Sequence, residues 1–591
     1  MKNYLNPFVF LNSLGLLNSN TEPFAKKTSA VVNGLLAALI FLAGLLVYFP
    51  GTSGDFIYDD NIEVRNVDDV FTPGAWPKLF FQAYQRLYRP VKLLSFYVDN
   101  SLFAWHPTGW HWQSCLWHAV NGALVFFLIR RLNCSLVGAL LGGLWFAIHP
   151  IHTEAVVCIN GRGTLMSTFG VLVVFLCYDR WRRQSSGWSM MGMLGGAFIG
   201  FFSKEDALMV FPMLALYEWF IRQETFLDLL KQKVFLAAAL PLGVLAVAYL
   251  TMRQTIIIGV NQGRWESGFT GWLSTLPVIL TTYLRQLVWP DPMCIDQPVN
   301  YSAGFGVMFW SSLLVLIGCA GILCVRRPAW SRWQFALGFF FVALIPVMGI
   351  IPINQPRADR FLYLPSVAAA LAVGWLWDWA GKQARRRTIY LVFLTASLSW
   401  YGWRSWDYSK TFLNETVLWK NVAAVNPTSY RCIANLAANA NNAGQPQAAL
   451  LLIEKCLTLK PVCPEGWVIK AYSLAALGRT EEAEALYQRA IENGTEDPRW
   501  MYLLADLLQR QKRFAEAEKI YDRIAQLRPG YAEARYAAGI LAIQMNEPDK
   551  AEAHIAAVLQ VNPANQQARI ILEILRREKS SPVPQKIKNA P

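Results

Sequence analysis

The sequence predicts an all-α protein in two parts, a polytopic membrane bundle of about eleven helices followed by a soluble helical solenoid, and three observations predict it. The 591 residues are 54% hydrophobic, with 24 Trp and only 16% charged, which is too apolar for a soluble enzyme of this length. From Ala30 to Trp403 the apolar residues come in blocks of roughly 15 to 20, about the length that crosses a hydrocarbon core of about 30 Å. Beyond Asn414 the composition turns charged and Ala-rich, and Ala449, Ala483, Ala517 and Ala551 each fall 34 residues after the last.

The expected division is a cytoplasmic N-terminal segment at 1–29, the membrane domain at 30–404, the repeat domain at 405–580 and a disordered tail at 581–591. The candidate spans are 30–48, 115–129, 136–148, 165–177, 188–202, 208–221, 234–251, 307–325, 333–352, 361–380 and 389–403. The first is too long for the apolar region of a cleavable signal and follows Lys26 and Lys27, so it reads as an anchor. An N-terminus inside puts Arg130/Arg131, Arg180/Arg182/Arg183, Arg222 with Lys231/Lys233, Arg326/Arg327 and Arg385 to Arg387 all in the cytoplasm. Residues 271–289 are apolar but hold Pro277, Thr281, Thr282 and Arg285. If they crossed, the last two basic clusters would face outward, so an interfacial or re-entrant helix is expected there.

The 34-residue period identifies tetratricopeptide repeats. Pro427, Pro461, Pro529 and Pro563 keep the same register. Trp467, Ala471, Tyr487 and Ala490 supply the large knobs and small holes that two antiparallel helices need, and each Pro ends a second helix. Residues 415–427 read as a lone second helix splicing the array to the last span. Such an array offers a concave surface for a protein or an extended peptide; a structural cap or an oligomerisation module is the plainer reading.

The net charge of +14 suits short cytoplasmic loops and contact with lipid phosphates. Basic residues punctuate the spans and line no single stripe, which argues against nucleic acid. The ten Cys include no CxxC pair, so a thiolate metal site is not expected; Cys432, Cys456 and Cys463 leave one disulfide open in an oxidising compartment.

Four polar groups stand at the expected outer ends of the spans. The first loop carries Asp59 and Asp60, either a general base or a solvated turn. It also holds Arg65, Arg86, Arg89 and Lys92 with Trp76, Tyr84, Tyr88 and Trp105, a composition for meeting an anionic headgroup. The second carries His149, His152 and Glu154, then Arg162. Without an HExxH spacing these read as a capped turn, or as groups orienting a base while Arg162 meets phosphate. Lys204 and Glu205 follow the fifth span, as a functional pair or an interfacial ion pair. Arg357, Asp359, Arg360 and Tyr363 open the tenth, where two guanidinium forks form a candidate phosphate clamp. All four groups emerge on one face, although the charge rule used other residues. That convergence predicts one active site.

Phe56-Ile57-Tyr58-Asp59-Asp60-Asn61, His149 to Val156 with Gly161-Arg162, Ser203-Lys204-Glu205 and Arg360 to Pro365, followed by tetratricopeptide repeats, resemble the TMTC-type (transmembrane and tetratricopeptide repeat) O-mannosyltransferases and their bacterial relatives. The departures are Asp206 after Lys204-Glu205 and an array of only four full repeats. The resemblance implies a GT-C-fold glycosyltransferase in a bacterial inner membrane, with its site and repeats periplasmic. It would use a polyprenyl-phosphate-linked sugar, with membrane lipids around it and an acceptor protein or peptide, held by the repeats, as partner. Asp59 or Asp60 matches the family's base. Glu154 and His149 would assist it in catalysis; Arg357, Arg360, Lys204 and Arg162 would hold the donor phosphate; Glu205, Asp359, Tyr363 and Arg89 would meet the acceptor or support the site. No cofactor is expected, and a divalent ion at Asp60 and His149 stays open. A lipid or polysaccharide acceptor, and a non-catalytic envelope scaffold, are the alternatives.

Overall fold

The computed structural model describes residues 22–64, 68–71, 74, 76–84, 87–257, 268–299, 304–325, 327–350, 355–493, 497–528, 530–561 and 565–580. Arg65, Arg86, Arg326, Pro529, Pro563 and the expected tail lie outside them. The described chain is helical, with one isolated bridge between Tyr84 and Leu87. All ten cysteines are unpaired, so the open disulfide is not formed.

Each of the eleven expected blocks carries a helix. Among the described residues, six are long and apolar enough to cross a membrane alone; Leu136–Ile148 and Pro150–Val157, bent by 44°, make a seventh if taken as one span. The other blocks fall short for visible reasons. Gly187–Ser203 and Ser366–Ala380 have 17 and 15 residues, and Ala384–Ser409 starts with three Arg and runs through the expected domain junction.

Helices of this apolar kind gain little from hydrophobicity in lipid and associate where small residues let backbones touch. A Cβ on Gly170 would stand 2.4 Å from the Gly196 carbonyl oxygen and 2.6 Å from Gly200 Cα, so Arg162–Gln184 and Gly187–Ser203 close as a tight hairpin. Gly138 meets Gly374 while Gly142 meets Ala370, which makes Leu136–Ile148 antiparallel to Ser366–Ala380.

That pairing orients the bundle without reference to charge. At one end Ser135 N–H donates to Asp378 (3.0 Å), Arg183 pairs with Asp179 (2.9 Å) and Arg182 with Glu218 (2.9 Å). At the other, His152 Nε2 donates to Ser366 Oγ (2.8 Å) and Glu154 meets Arg360. The basic ends thus gather on one face and the motif loops on the opposite one. The helix Gly268–Gln286 touches the connection after Leu344 through Trp272 Nε1 to the Met348 carbonyl (2.9 Å) and Gln286 to Asp359 (2.9 Å).

The repeats form four helix pairs: Tyr430–Asn442 with Pro446–Leu459, Pro464–Ala476 with Thr480–Asn493, Pro498–Arg510 with Phe514–Leu527, and Ala532–Gln544 with Pro548–Val561. The helix Gln566–Ser580 closes the described array. The four periodic Ala are fully buried. Gly444, Gly478, Lys512 and Asn546, again 34 apart, turn each pair with positive φ (72°, 80°, 63° and 60°).

Candidate active site

The site is built around the short helix Asp59–Glu63, whose two leading acids sit where a helix N-terminus favours negative charge. Tyr58 precedes it at φ 54°, ψ −123°, a conformation costing a non-glycine residue about 1–3 kcal/mol. Asp60 turns inward, fully buried, and accepts N–H bonds from Asn160 (2.6 Å) and Ile57 (3.5 Å). Burial pushes its carboxyl up to about 7 against those two donors. Asp59 is half-buried and open to a cavity, with only a long contact from Asn160 Nδ2 (3.4 Å). Burial raises it above the usual carboxylate range, with Arg360 opposing.

Cations from three other segments line the same cavity as Asp59, each oriented by an acid. Arg360 donates to Gln355 (2.7 Å) and grips the buried Glu154, which also accepts the Arg360 backbone N–H (2.9 Å). Arg89 forks onto both oxygens of Glu205 (3.0 and 3.3 Å). Although burial works the other way, that guanidinium holds Glu205 at about 2. Lys204 donates to Thr164 Oγ1 (2.9 Å) and pairs with Asp206 (3.1 Å). Asp206, the residue that departs from the family pattern, therefore anchors Lys204.

Asp59, Arg89, Lys204, Glu205 and Arg360 line a cavity of about 830 Å³. Its other wall comes from the repeats: Glu415, Arg431, Lys460 and Glu465 stand there with Tyr430 and Ile469. Asp296 seats that wall, pairing with Arg431 (3.2 Å) and accepting from Ser429. Cavity volume and mixed polar lining suit a ligand-sized occupant.

Other expected site residues lie elsewhere, and the expectations for them are corrected. Arg162 is fully buried against Asp99 (2.5 Å) and also donates to Ser95, Ser114 and the Trp110 carbonyl. It ties the loop helix Pro90–Phe103 to Pro107–Arg131 and cannot meet a phosphate. His149 is a buried cap, its Nδ1 accepting from Ile151 N–H and its Nε2 donating to the Leu287 carbonyl (both 3.2 Å). Among the described residues no group of three His, Cys, Asp or Glu side chains is set to hold a metal. Tyr363 donates to the buried His118 (2.7 Å). Asp359, pushed up to about 7 by burial and the neighbouring Glu154, accepts from Gln286 and Gln297. Arg357 does not line the cavity and reaches the Pro298 carbonyl at 3.5 Å.

Sequence reasoning missed Asn160 and Lys92 as organisers. Lys92 is buried between Glu63 (2.6 Å) and the Asn160 side chain, so the second loop is clamped beneath the two Asp. It missed the repeat-derived wall entirely.

Fold and site together define a polytopic helical membrane protein whose tetratricopeptide repeats fold back onto a polar cavity. Residues 436–498, 470–532 and 508–573 match the tetratricopeptide repeat family. Over most of its length the chain is similar to human protein O-mannosyl-transferase TMTC3, 24% identical across 89% of this chain and 64% of the relative. It is also similar to human protein O-mannosyl-transferase TMTC4, 23% identical across 71% and 66%. A shorter match to the Xenopus laevis protein O-mannosyl-transferase tmtc2 is 30% identical across 32% and 24%. The chain thus spans just under two thirds of the two human relatives. Among solved structures, the TPR protein YrrB covers 27% of this chain and 84% of its own, at 19% identity and TM-score 0.24. The expected TMTC-type resemblance holds across both halves of the chain.

Proposed function

We propose that the protein is a glycosyltransferase that moves a sugar, mannose by analogy with its named relatives, from a polyprenyl phosphate to a Ser or Thr hydroxyl of an acceptor protein. The observation that carries this reading is that Asp59, Arg89, Lys204 and Arg360 line one cavity beside a wall of repeats. The catalysis is metal-free and inverting, of GT-C type, in a bacterial inner membrane with the cavity on the extracytoplasmic face.

Asp59 is the base, because it alone of the two acids opens to the cavity; Asp60 is committed to two backbone N–H groups. Its raised pKa brings it closer to the operating pH, which favours proton transfer. The acceptor oxygen bonds to the anomeric carbon as its proton passes to the Asp59 carboxylate. The bond from that carbon to the phosphate oxygen breaks, and its electron pair stays on the phosphate. Arg360, Lys204 and Arg89 meet the charge that develops there, prealigned by Glu154, Asp206 and Glu205. The phosphate is already a good leaving group, so neither a nucleotide nor a general acid is required.

The test uses purified full-length protein, farnesyl-phosphate-linked tritiated mannose and a Thr-rich peptide. Asp59→Asn should lower transfer by about 10²- to 10⁴-fold while the protein keeps its thermal stability. Full transfer by Asp59→Asn would overturn the assignment of the base, and no transfer by the wild-type chain to any hydroxyl acceptor would favour the scaffold alternative.

A further inference from the structure

We infer that Glu415, outside every motif of the membrane domain, is a positioning residue that holds Asp59 in register and makes docking of the repeats a condition of catalysis. This rests on the reading of Asp59 as the base.

Three donors converge on this one side chain. Glu415 Oε1 accepts the Tyr58 backbone N–H (2.6 Å) and Asn61 Nδ2 (3.1 Å), while Oε2 accepts Trp419 Nε1 (2.6 Å). Tyr58 and Asn61 flank the two Asp, so the carboxylate straddles the start of the short helix that carries them. An ionised carboxylate, which only accepts, is the one side chain of this length that satisfies all three. Glutamine would turn an amide NH₂ toward at least one N–H.

The position held is one the chain would not choose unaided. Tyr58 has a backbone conformation that glycine adopts freely and tyrosine does not, and no side-chain cap of its own precedes the helix. Such strain persists only where the surroundings over-determine it, and the bond to Glu415 is a direct restraint on the strained residue. Trp419, fully buried, joins Glu415 to the array: its ring meets Tyr58 edge-on at 5.6 Å and its carbonyl accepts Cys432 Sγ (3.2 Å) from the first repeat. A path of three contacts therefore runs from the first repeat through Trp419 and Glu415 to Tyr58, the residue before Asp59. An array that undocks releases the base.

The test is a double-mutant cycle in the full-length protein. Glu415→Ala and Glu415→Gln are each made alone and with Tyr58→Gly, and transfer is measured with farnesyl-phosphate-linked tritiated mannose and a Thr-rich peptide. Glu415→Ala should lower kcat on the order of 10- to 100-fold, as expected for a misplaced reacting group, with the KM for the lipid donor unchanged. In the Tyr58→Gly background the same change should cost several-fold less, since glycine removes the strain that Glu415 restrains. Equal losses in the two backgrounds, or a loss confined to KM, would overturn the inference. Amide hydrogen exchange reads the same coupling without donor or activity, so it separates this inference from the glycosyltransferase reading. Glu415→Ala should speed exchange across residues 56–64 and leave 430–476 at the wild-type rate. Unchanged exchange at 56–64, or equal acceleration of both segments, refutes it.

Discussion

Replacing Arg162 by methionine separates a structural arginine from a phosphate-binding one. Arg162 and Asp99 are both fully buried and 2.5 Å apart, and the guanidinium makes three further hydrogen bonds. Removing one partner of such a pair strands the other charge and costs about 3–5 kcal/mol, whereas replacing both by apolar groups is close to neutral. With an unfolding entropy of about 2.1 cal/mol/K per residue, a chain of this length shifts by roughly 0.8 °C per kcal/mol, so Arg162→Met should lower the unfolding temperature of the detergent-purified protein by about 2–4 °C. Arg162→Met with Asp99→Leu should recover at least half of that loss, the remainder being the orphaned Ser95, Ser114 and Trp110 carbonyl. The assay is thermal unfolding followed by intrinsic fluorescence, with donor KM measured below the transition. An unchanged unfolding temperature with a raised KM would return Arg162 to the phosphate site and refute the reasoning.

Four further outcomes follow from named contacts. Arg89→Lys should raise the KM for the lipid donor, because a lysine cannot reproduce the forked contact that aligns Glu205. The acid limb of kcat/KM should lie above the ordinary carboxylate range, since burial raises Asp59 and activity is lost as pH falls through that raised value; a limb at an ordinary carboxylate pKa contradicts the assignment. Asp60, raised to about 7 by burial, binds more protons folded than unfolded between about pH 4 and 7. Its contribution is therefore fully present below about pH 4 and is lost as pH rises through 7, and Asp60→Asn should flatten that slope in a stability titration. Gly170→Ala should cost 1–3 kcal/mol or more by overpacking, whereas Gly195→Ala, with nothing within 4 Å of its new Cβ, should stay within about 0.5 kcal/mol in the same unfolding assay.

The repeats were legible almost residue by residue, since a 34-residue period fixes which positions are buried, and the periodic Ala are. The convergence of four motif loops was legible too, because charge bias orients each span independently of the loops it carries. The failures share a cause. Arg162, His149 and Tyr363 were judged by residue type and by nearness to the end of a span, and neither says which way a side chain faces. For Arg162 a signal existed: Asp99 lies one turn after Ser95 on the helix Pro90–Phe103, and a carboxylate buried there calls for a cation. The bland reading of His149 as a helix-turn cap was the correct one.

The repeat wall left no such signal, because sequence period fixes the inside of a solenoid and not where its first unit leans. Glu415 reads as an ordinary acid in the first turn of a helix, worth a few tenths of a kcal/mol against the dipole. Its actual partners lie 354 and 357 positions away, at Asn61 and Tyr58. That separation is also why the arrangement matters. A base held only by its own loop would be competent whenever the membrane domain is folded, whereas one held through Glu415 is competent only when the array is seated. Truncating the chain before Asn414 should therefore lower transfer at least as far as Glu415→Ala does, even to a short peptide at saturating concentration, with the span helices still folded. A truncated protein that transfers at the full rate would make the array a tether for substrate and nothing more.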